Sequence, residues 1–209
     1  MNLIRRNFLL GGVGLFVSTN ALASIKPTPQ CKCGVKSKSS RRRKSLLRPN
    51  KWGKEKLKYY MMGRDLLDLT QEVWDKQFRL AFDSWSAVCP LTFIETDSIH
   101  EADIVIGVGN RRRQNFGKAG GVLAWAQLPY TPNFDGQLLT MYDLSENWIT
   151  PDSEEYGTML LSVAAHEIGH LLGLDHSNDS SALMYPYINN ALEPQATDIK
   201  NIQSLYGKK

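Results

Sequence analysis

The chain reads as an α+β domain, a sheet backed by long helices, and three observations predict it. Lys56–Met61, Leu91–Thr96 and Asp103–Val108 have the alternating character of half-buried strands. Trp74, Phe78, Ala81, Trp85 and Val88 instead recur at helical spacing, as do Ile199, Ile202 and Leu205–Tyr206 near the C-terminus. With 42% apolar residues in 209, one domain plus extra segments can bury a core.

The first element is an export signal over residues 1–23. Arg5-Arg6 precede an apolar run from Phe8 to Val17, and Ala21-Leu22-Ala23 supplies an A-x-A cleavage site. Arg5-Arg6-Asn7-Phe8-Leu9-Leu10 is also similar to a twin-arginine signal. The run is too short and glycine-rich for a lasting membrane span, so a secreted product without a stable membrane anchor is expected.

Residues 24–47 follow as a short pro-segment, rich in Pro, Ser, Lys and Arg and without core-forming periodicity. Within it, Arg41-Arg42-Arg43-Lys44 suits an activating protease, and equally suits a solvated linker. The net charge of +4 is unevenly placed. Residues 1–44 hold 10 Lys/Arg and no acid, whereas residues 45–209 hold 15 Lys/Arg against all 21 acids, a balance of −6. Nothing in that mildly acidic part supports nucleic-acid binding.

Residues 48–209 carry the folded domain. The strand from Lys56 to Met61 comes first, and Thr70 is the expected N-cap of the aromatic-striped helix. Those aromatics are core. The next two strands frame His100, a turn residue with no expected role. A helix over Thr158–Leu172 and one capped by Thr197 complete the domain, and a monomer without an accessory domain is expected.

The helix over Thr158–Leu172 carries the chemistry. His166-Glu167-Ile168-Gly169-His170 is H-E-x-x-H, followed at fixed spacing by Gly173 and His176, and these use three of the four histidines. Residues four apart share a helix face, so His166 and His170 can aim two imidazoles at one ion. Gly173 ends the helix by taking a left-handed conformation, and the chain folds back to bring up His176. Three neutral imidazoles make a zinc site that keeps a fourth position for water. Glu167 faces the same cleft without binding the ion and can take a proton from that water. Such an arrangement is suited to hydrolysing peptide bonds.

H-E-x-x-H-x-x-G-x-x-H resembles the signature of the metzincin metallopeptidases, and Ser181-Ala182-Leu183-Met184-Tyr185-Pro186 is similar to their methionine turn. Ser177, straight after the third histidine, resembles the matrixin branch. So do Lys51-Trp52, Ala81–Ser86 with Pro90–Phe93, Glu101–Ile104 and Asp198–Gly207. The resemblance implies a twisted mixed five-stranded sheet, an active-site helix, a backing helix, a C-terminal helix and Met184 beneath one catalytic zinc. It implies a zinc endopeptidase acting on protein or peptide substrates of the extracellular matrix kind. A zinc-dependent peptide-binding module without turnover is the alternative.

The same resemblance assigns further positions. Cys31-Lys32-Cys33-Gly34-Val35 is similar to the matrixin cysteine switch, with Cys33 as an inhibitory zinc ligand in a zymogen. Lys32 and Lys36-Ser37 depart from its usual arginine and Pro-Asp. A disulfide from Cys31 or Cys33 to Cys89 is the competing reading. Gly120–Ala126 resembles the edge strand above the cleft, so Val122, Leu123 and Ala124 would hold substrate through their main chain. Pro186 and Tyr187 would wall the pocket for the residue after the scissile bond, and Ser162 would set its depth. Asp143 and Glu146 are candidate calcium ligands. Asn110, Arg112, Trp125 and Met141 stand where the family's second zinc is held, and none is a good zinc ligand.

Overall fold

A computed structural model describes residues 33, 51–63, 69–109, 116, 118, 120–129 and 136–209. The expected export signal, Cys31, the basic run at 41–44, Asn110 and Arg112 lie outside the described residues.

The elements run β1 (Lys56–Met61), α1 (Gln71–Ser86), β2 (Thr92–Glu95), β3 (Ile104–Gly109), β4 (Ala124–Ala126), β5 (Leu138–Asp143), β6 (Trp148–Ile149), β7 (Thr158–Met159), α2 (Leu160–Leu171) and α3 (Ala196–Tyr206). Five strands form one mixed sheet in the order β2-β1-β3-β5-β4. The first three pairings are parallel, and β4 runs antiparallel to β5 at one edge. The α+β class with a five-stranded mixed sheet is therefore as the resemblance implied.

Local chemistry explains each element. In β1 the side chains alternate, Leu57, Tyr59 and Met61 buried and Lys56 and Lys58 exposed. Thr70 caps α1 by accepting from the Val73 N–H at 3.4 Å. The α1 stripe then meets the sheet: the Trp74 and Phe78 rings lie 5.8 and 5.1 Å from Tyr142 on β5, and Trp74 lies 6.4 Å from Trp148 on β6. Tyr59 stacks on Phe82, whose other neighbour is Phe93. Trp85, fully buried, donates its indole N–H to the Ala165 carbonyl at 2.9 Å and so bolts α1 to α2.

Three boundaries differ from those the local pattern suggested. Thr158 and Met159 do not begin the helix; they pair in parallel with Trp148 and Ile149. Thr197 is not the cap of α3, because Gln195 is, in a capping box closed by Asp198. Val88 lies past the end of α1, which stops at Ser86.

Candidate metal centre

Helix α2 is buried along its whole length, an unusual setting for two histidines and a glutamate. Trp52 and Trp85 lock it in place by donating to the Leu171 and Ala165 carbonyls at 2.8 and 2.9 Å. The helix ends where Gly173 takes φ 100°. Gly173 then donates to the His170 carbonyl and Leu174 to that of Gly169, the paired bonds of a Schellman turn. That turn reverses the chain, and the Ser177 N–H meets the Met184 carbonyl at 2.8 Å. His176 is thereby brought against the helix.

The three imidazoles converge. Ring centroids are 4.9 Å apart for His166 and His170, 5.4 Å for His166 and His176, and 4.7 Å for His170 and His176. His166 Nδ1 lies 2.7 Å from the Leu183 carbonyl, and His170 Nδ1 lies 2.7 Å from the Leu174 carbonyl. A carbonyl only accepts, so both Nδ1 atoms carry the proton and both Nε2 atoms present a lone pair. The Nε2 atoms of all three histidines are buried without a hydrogen-bond partner. Three buried, unpartnered ring nitrogens drawn together are costly unless a cation receives them.

Cys33 completes the group. Its Sγ and one nitrogen of each of His166, His170 and His176 all lie within 4.8 Å of one another. Its main-chain N–H donates to the Pro186 carbonyl at 3.3 Å. No disulfide joins Cys33 to Cys89, whose buried thiol donates to the Trp85 carbonyl at 3.2 Å. Three nitrogens and one sulfur are the donor number and type of a tetrahedral zinc site, so the residues fit that ion.

Electrostatics favour metal-ready protonation states. Burial pushes His166 down to about 4, more than the Leu183 carbonyl bond restores. Burial, with His166 and His176 adding to it, holds His170 well below the ordinary histidine range. His176 is lowered by burial too, with the Asp175 charge opposing. Glu167, fully buried, is raised by that burial to about 8, and a hydrogen bond from the Cys33 side chain works in the other direction. A divalent cation at the Nε2 cluster would favour its ionised form.

Met184 lies under the helix, 1% exposed, with its Sδ against Gly169. Beside His166 and Glu167 lies a small cavity of about 20 Å³, which Cys33 also lines. Leu123, Ser162, Pro186 and Tyr187 all line it, so four expected substrate positions share one space. Val122 and Ala124 are not among its walls. Ala124 opens β4, and the Val122 N–H is held by the Phe116 carbonyl at 3.2 Å. The strand is shorter than Gly120–Ala126, because Gly120 and Gly121 lie in a turn bonded to Lys118. Ile188 continues the wall of Pro186 and Tyr187 as the resemblance to matrixins implied, and Tyr185 and Asn189, which sequence reasoning missed, line the cavity as well.

Asp143 and Glu146 point their carboxylates into the protein. Glu146 Oε1 accepts from the Gly120 N–H at 2.8 Å, and Asp143 Oδ1 accepts from the Ser145 N–H at 2.9 Å and from its hydroxyl. Trp125 and Met141 are direct cross-strand partners. Met141 Sδ packs so close to Gly107 that a Cβ there would stand 2.6 Å away. His100 is an exposed turn residue. Among the described residues, no helix is long and apolar enough to cross a membrane.

Comparison with known proteins follows the same lines. A family model described as Matrixin matches residues 51–207. The chain is similar to Metalloendoproteinase 1-MMP of Arabidopsis thaliana, 37% identical over 165 residues that cover 75% of this chain and 44% of the relative. It is also similar to Karilysin of Tannerella forsythia, 41% identical over 147 residues, 68% of this chain and 30% of that one. Macrophage metalloelastase of Oryctolagus cuniculus is 41% identical over 148 residues, 67% of this chain and 30% of its own length. The chain thus spans less than half the length of each.

Proposed function

This chain belongs to the matrixin family, and from that premise we propose that it is a zinc-dependent endopeptidase, exported and held latent by Cys33. The observation that carries the reading is the convergence of three imidazoles, each with a buried and unpartnered Nε2, beside a buried carboxylate. His166, His170 and His176 are the zinc ligands in this reading. A zinc ion held there supplies Lewis acidity at the scissile carbonyl and lowers the pKa of water from ~15.7 to about 7. Glu167 accepts the proton of the attacking water and returns it to the leaving amine. Leu183 and Leu174 keep two imidazoles in the tautomer that presents Nε2.

Substrate is an extended peptide laid along the edge strand at Val122–Ala124. The residue after the scissile bond enters at the cavity between Ser162 and Pro186–Tyr187, and the small side chain at 162 suits a large apolar group there once Cys33 has left. Gly173 provides the turn, and Met184 the floor, of the site. Asp143 and Glu146 hold their loop by hydrogen bonds to Gly120 and Ser145, which supports that role over calcium binding. The chain acts as a monomer on proteins outside the cell, after processing by another protease. The signals at Arg5–Arg6 and Ala21–Ala23 support export.

With zinc bound, the Cys33 thiolate would serve as a further ligand beside the three histidines and would keep water from the ion, since a thiolate is the stronger zinc ligand. Cys33→Ser in the full chain is therefore expected to cleave a quenched peptide without prior processing, and a chelator should stop it. A Cys33→Ser variant as silent as the parent would refute latency through this residue. Chelator-resistant cleavage would refute the zinc chemistry.

A further inference from the structure

A heavily engaged buried carboxylate lies outside the centre just described. Asp198, on α3, is fully buried. Its Oδ2 accepts from the Leu183 N–H at 2.7 Å and the Gln195 N–H at 2.9 Å, and its Oδ1 accepts from the Met184 N–H at 3.2 Å. As the N3 residue of a capping box it needs only the Gln195 bond. The other two reach across to the turn beneath the histidines.

One peptide unit joins that carboxylate to the centre. The peptide between Leu183 and Met184 gives its N–H to Asp198 and its C=O to the His166 Nδ1 proton at 2.7 Å. An anion at the N–H end polarises a peptide and makes its oxygen a better acceptor, which is how chained hydrogen bonds strengthen one another. A better acceptor at Nδ1–H in turn makes Nε2 a stronger electron donor and fixes the ring's orientation. His170 meets its own carbonyl at Leu174, in the loop after Gly173.

We propose that Asp198 is a positioning residue for the metal centre, acting on His166 through the Leu183–Met184 peptide. A carboxylate is required there because three N–H donors converge on it. An asparagine offers one acceptor oxygen and would turn an NH₂ group toward at least one of those donors. The C-terminal helix is thereby linked to ligand strength as well as to stability. This inference rests on reading His166 as a zinc ligand.

The test compares zinc affinity of full-length Asp198→Asn, Asp198→Ser and Gln195→Ala by competition with a chromophoric chelator, at a temperature where circular dichroism shows each folded. Gln195→Ala removes the side-chain half of the cap but leaves the contacts to Leu183 and Met184. The Asp198 variants are expected to bind zinc about tenfold more weakly, the lower end for an outer-sphere partner, and Gln195→Ala to match the parent. Equal affinity in the Asp198 variants, or an equal loss in Gln195→Ala, would overturn the proposal. If neither Asp198 variant folds, amide exchange in the parent decides. The Leu183 and Met184 N–H groups must then exchange only with global unfolding, and fast local exchange would overturn the proposal. A parent that binds no zinc would instead refute the reading of the centre itself.

Discussion

Met184 Sδ occupies the space that a side chain on Gly169 would need: a Cβ built there would stand 2.3 Å from the sulfur and 2.9 Å from Trp85 Cζ2. Helix α2 can lie this close to the turn beneath it only because residue 169 has no side chain. Trp85 cannot yield readily, since its indole N–H is bonded to the Ala165 carbonyl. Gly169→Ala gains about 1 kcal/mol of helix propensity but overpacks the site by roughly 1–3 kcal/mol. A net fall in Tm of a few degrees is expected, and Met184→Ala in the same chain should recover part of it. A Gly169→Ala variant more stable than the parent would contradict the packing described.

Stability of the metal-free protein should pass through a maximum near pH 6.5. On the acid side the unfolded chain protonates its histidines near 6.5, whereas folded His166 waits until about 4, and His170 and His176 are lowered in the same sense. The unfolded state therefore binds more protons, and stability falls as pH drops, with His166 alone contributing on the order of 3 kcal/mol. On the alkaline side the sign reverses. Folded Glu167 stays protonated up to about 8 against an ordinary 4.5, so stability falls as pH rises through that range. Between pH 6.5 and 8 that loss is about 2 kcal/mol. Below 6.5 Glu167 opposes the histidines, which outnumber it. Denaturant midpoints in chelator across pH 5–8 measure this, and a steady rise from pH 6 to 8 would contradict it.

The chemistry of the site was far more legible in the sequence than its supports. His166, Glu167, His170 and His176 announce themselves because helix spacing and a glycine turn place side chains directly. The aromatic stripe of α1 was legible for the same reason. Two boundaries were hidden because partners distant in sequence decide them. The Thr158 N–H is taken by the Asn147 carbonyl at 2.7 Å, which holds Thr158 and Met159 out of the helix. The Thr197 hydroxyl donates to Asp179 at 2.6 Å instead of capping α3. Leu183 acts through its main-chain carbonyl, which leaves no residue-type signature, and the Asp198 carboxylate meets main-chain N–H groups of residues 14 and 15 positions away, which no local spacing reveals.

Ser162 offers a direct handle on specificity. It is 4% exposed and lines the cavity beside Glu167 together with Leu123, Val163 and Leu183. In a peptide library, residues after the scissile bond are expected to favour large apolar side chains. Ser162→Phe should fill the cavity and shift the preference toward small residues, with at least a tenfold loss of kcat/KM for the large ones, about 1.4 kcal/mol. A parent that prefers small or acidic residues would refute the role given to this pocket.

The central claim is that three imidazoles hold one zinc ion while a neighbouring carboxylate handles protons. Glu167→Ala, placed in the Cys33→Ser background so that latency cannot mask turnover, separates the two parts in one preparation. Measured for zinc content and peptide cleavage together, it is expected to retain one zinc per chain and to lose at least 10²-fold in turnover. Normal turnover without Glu167, or cleavage by protein that carries no zinc, would contradict the account.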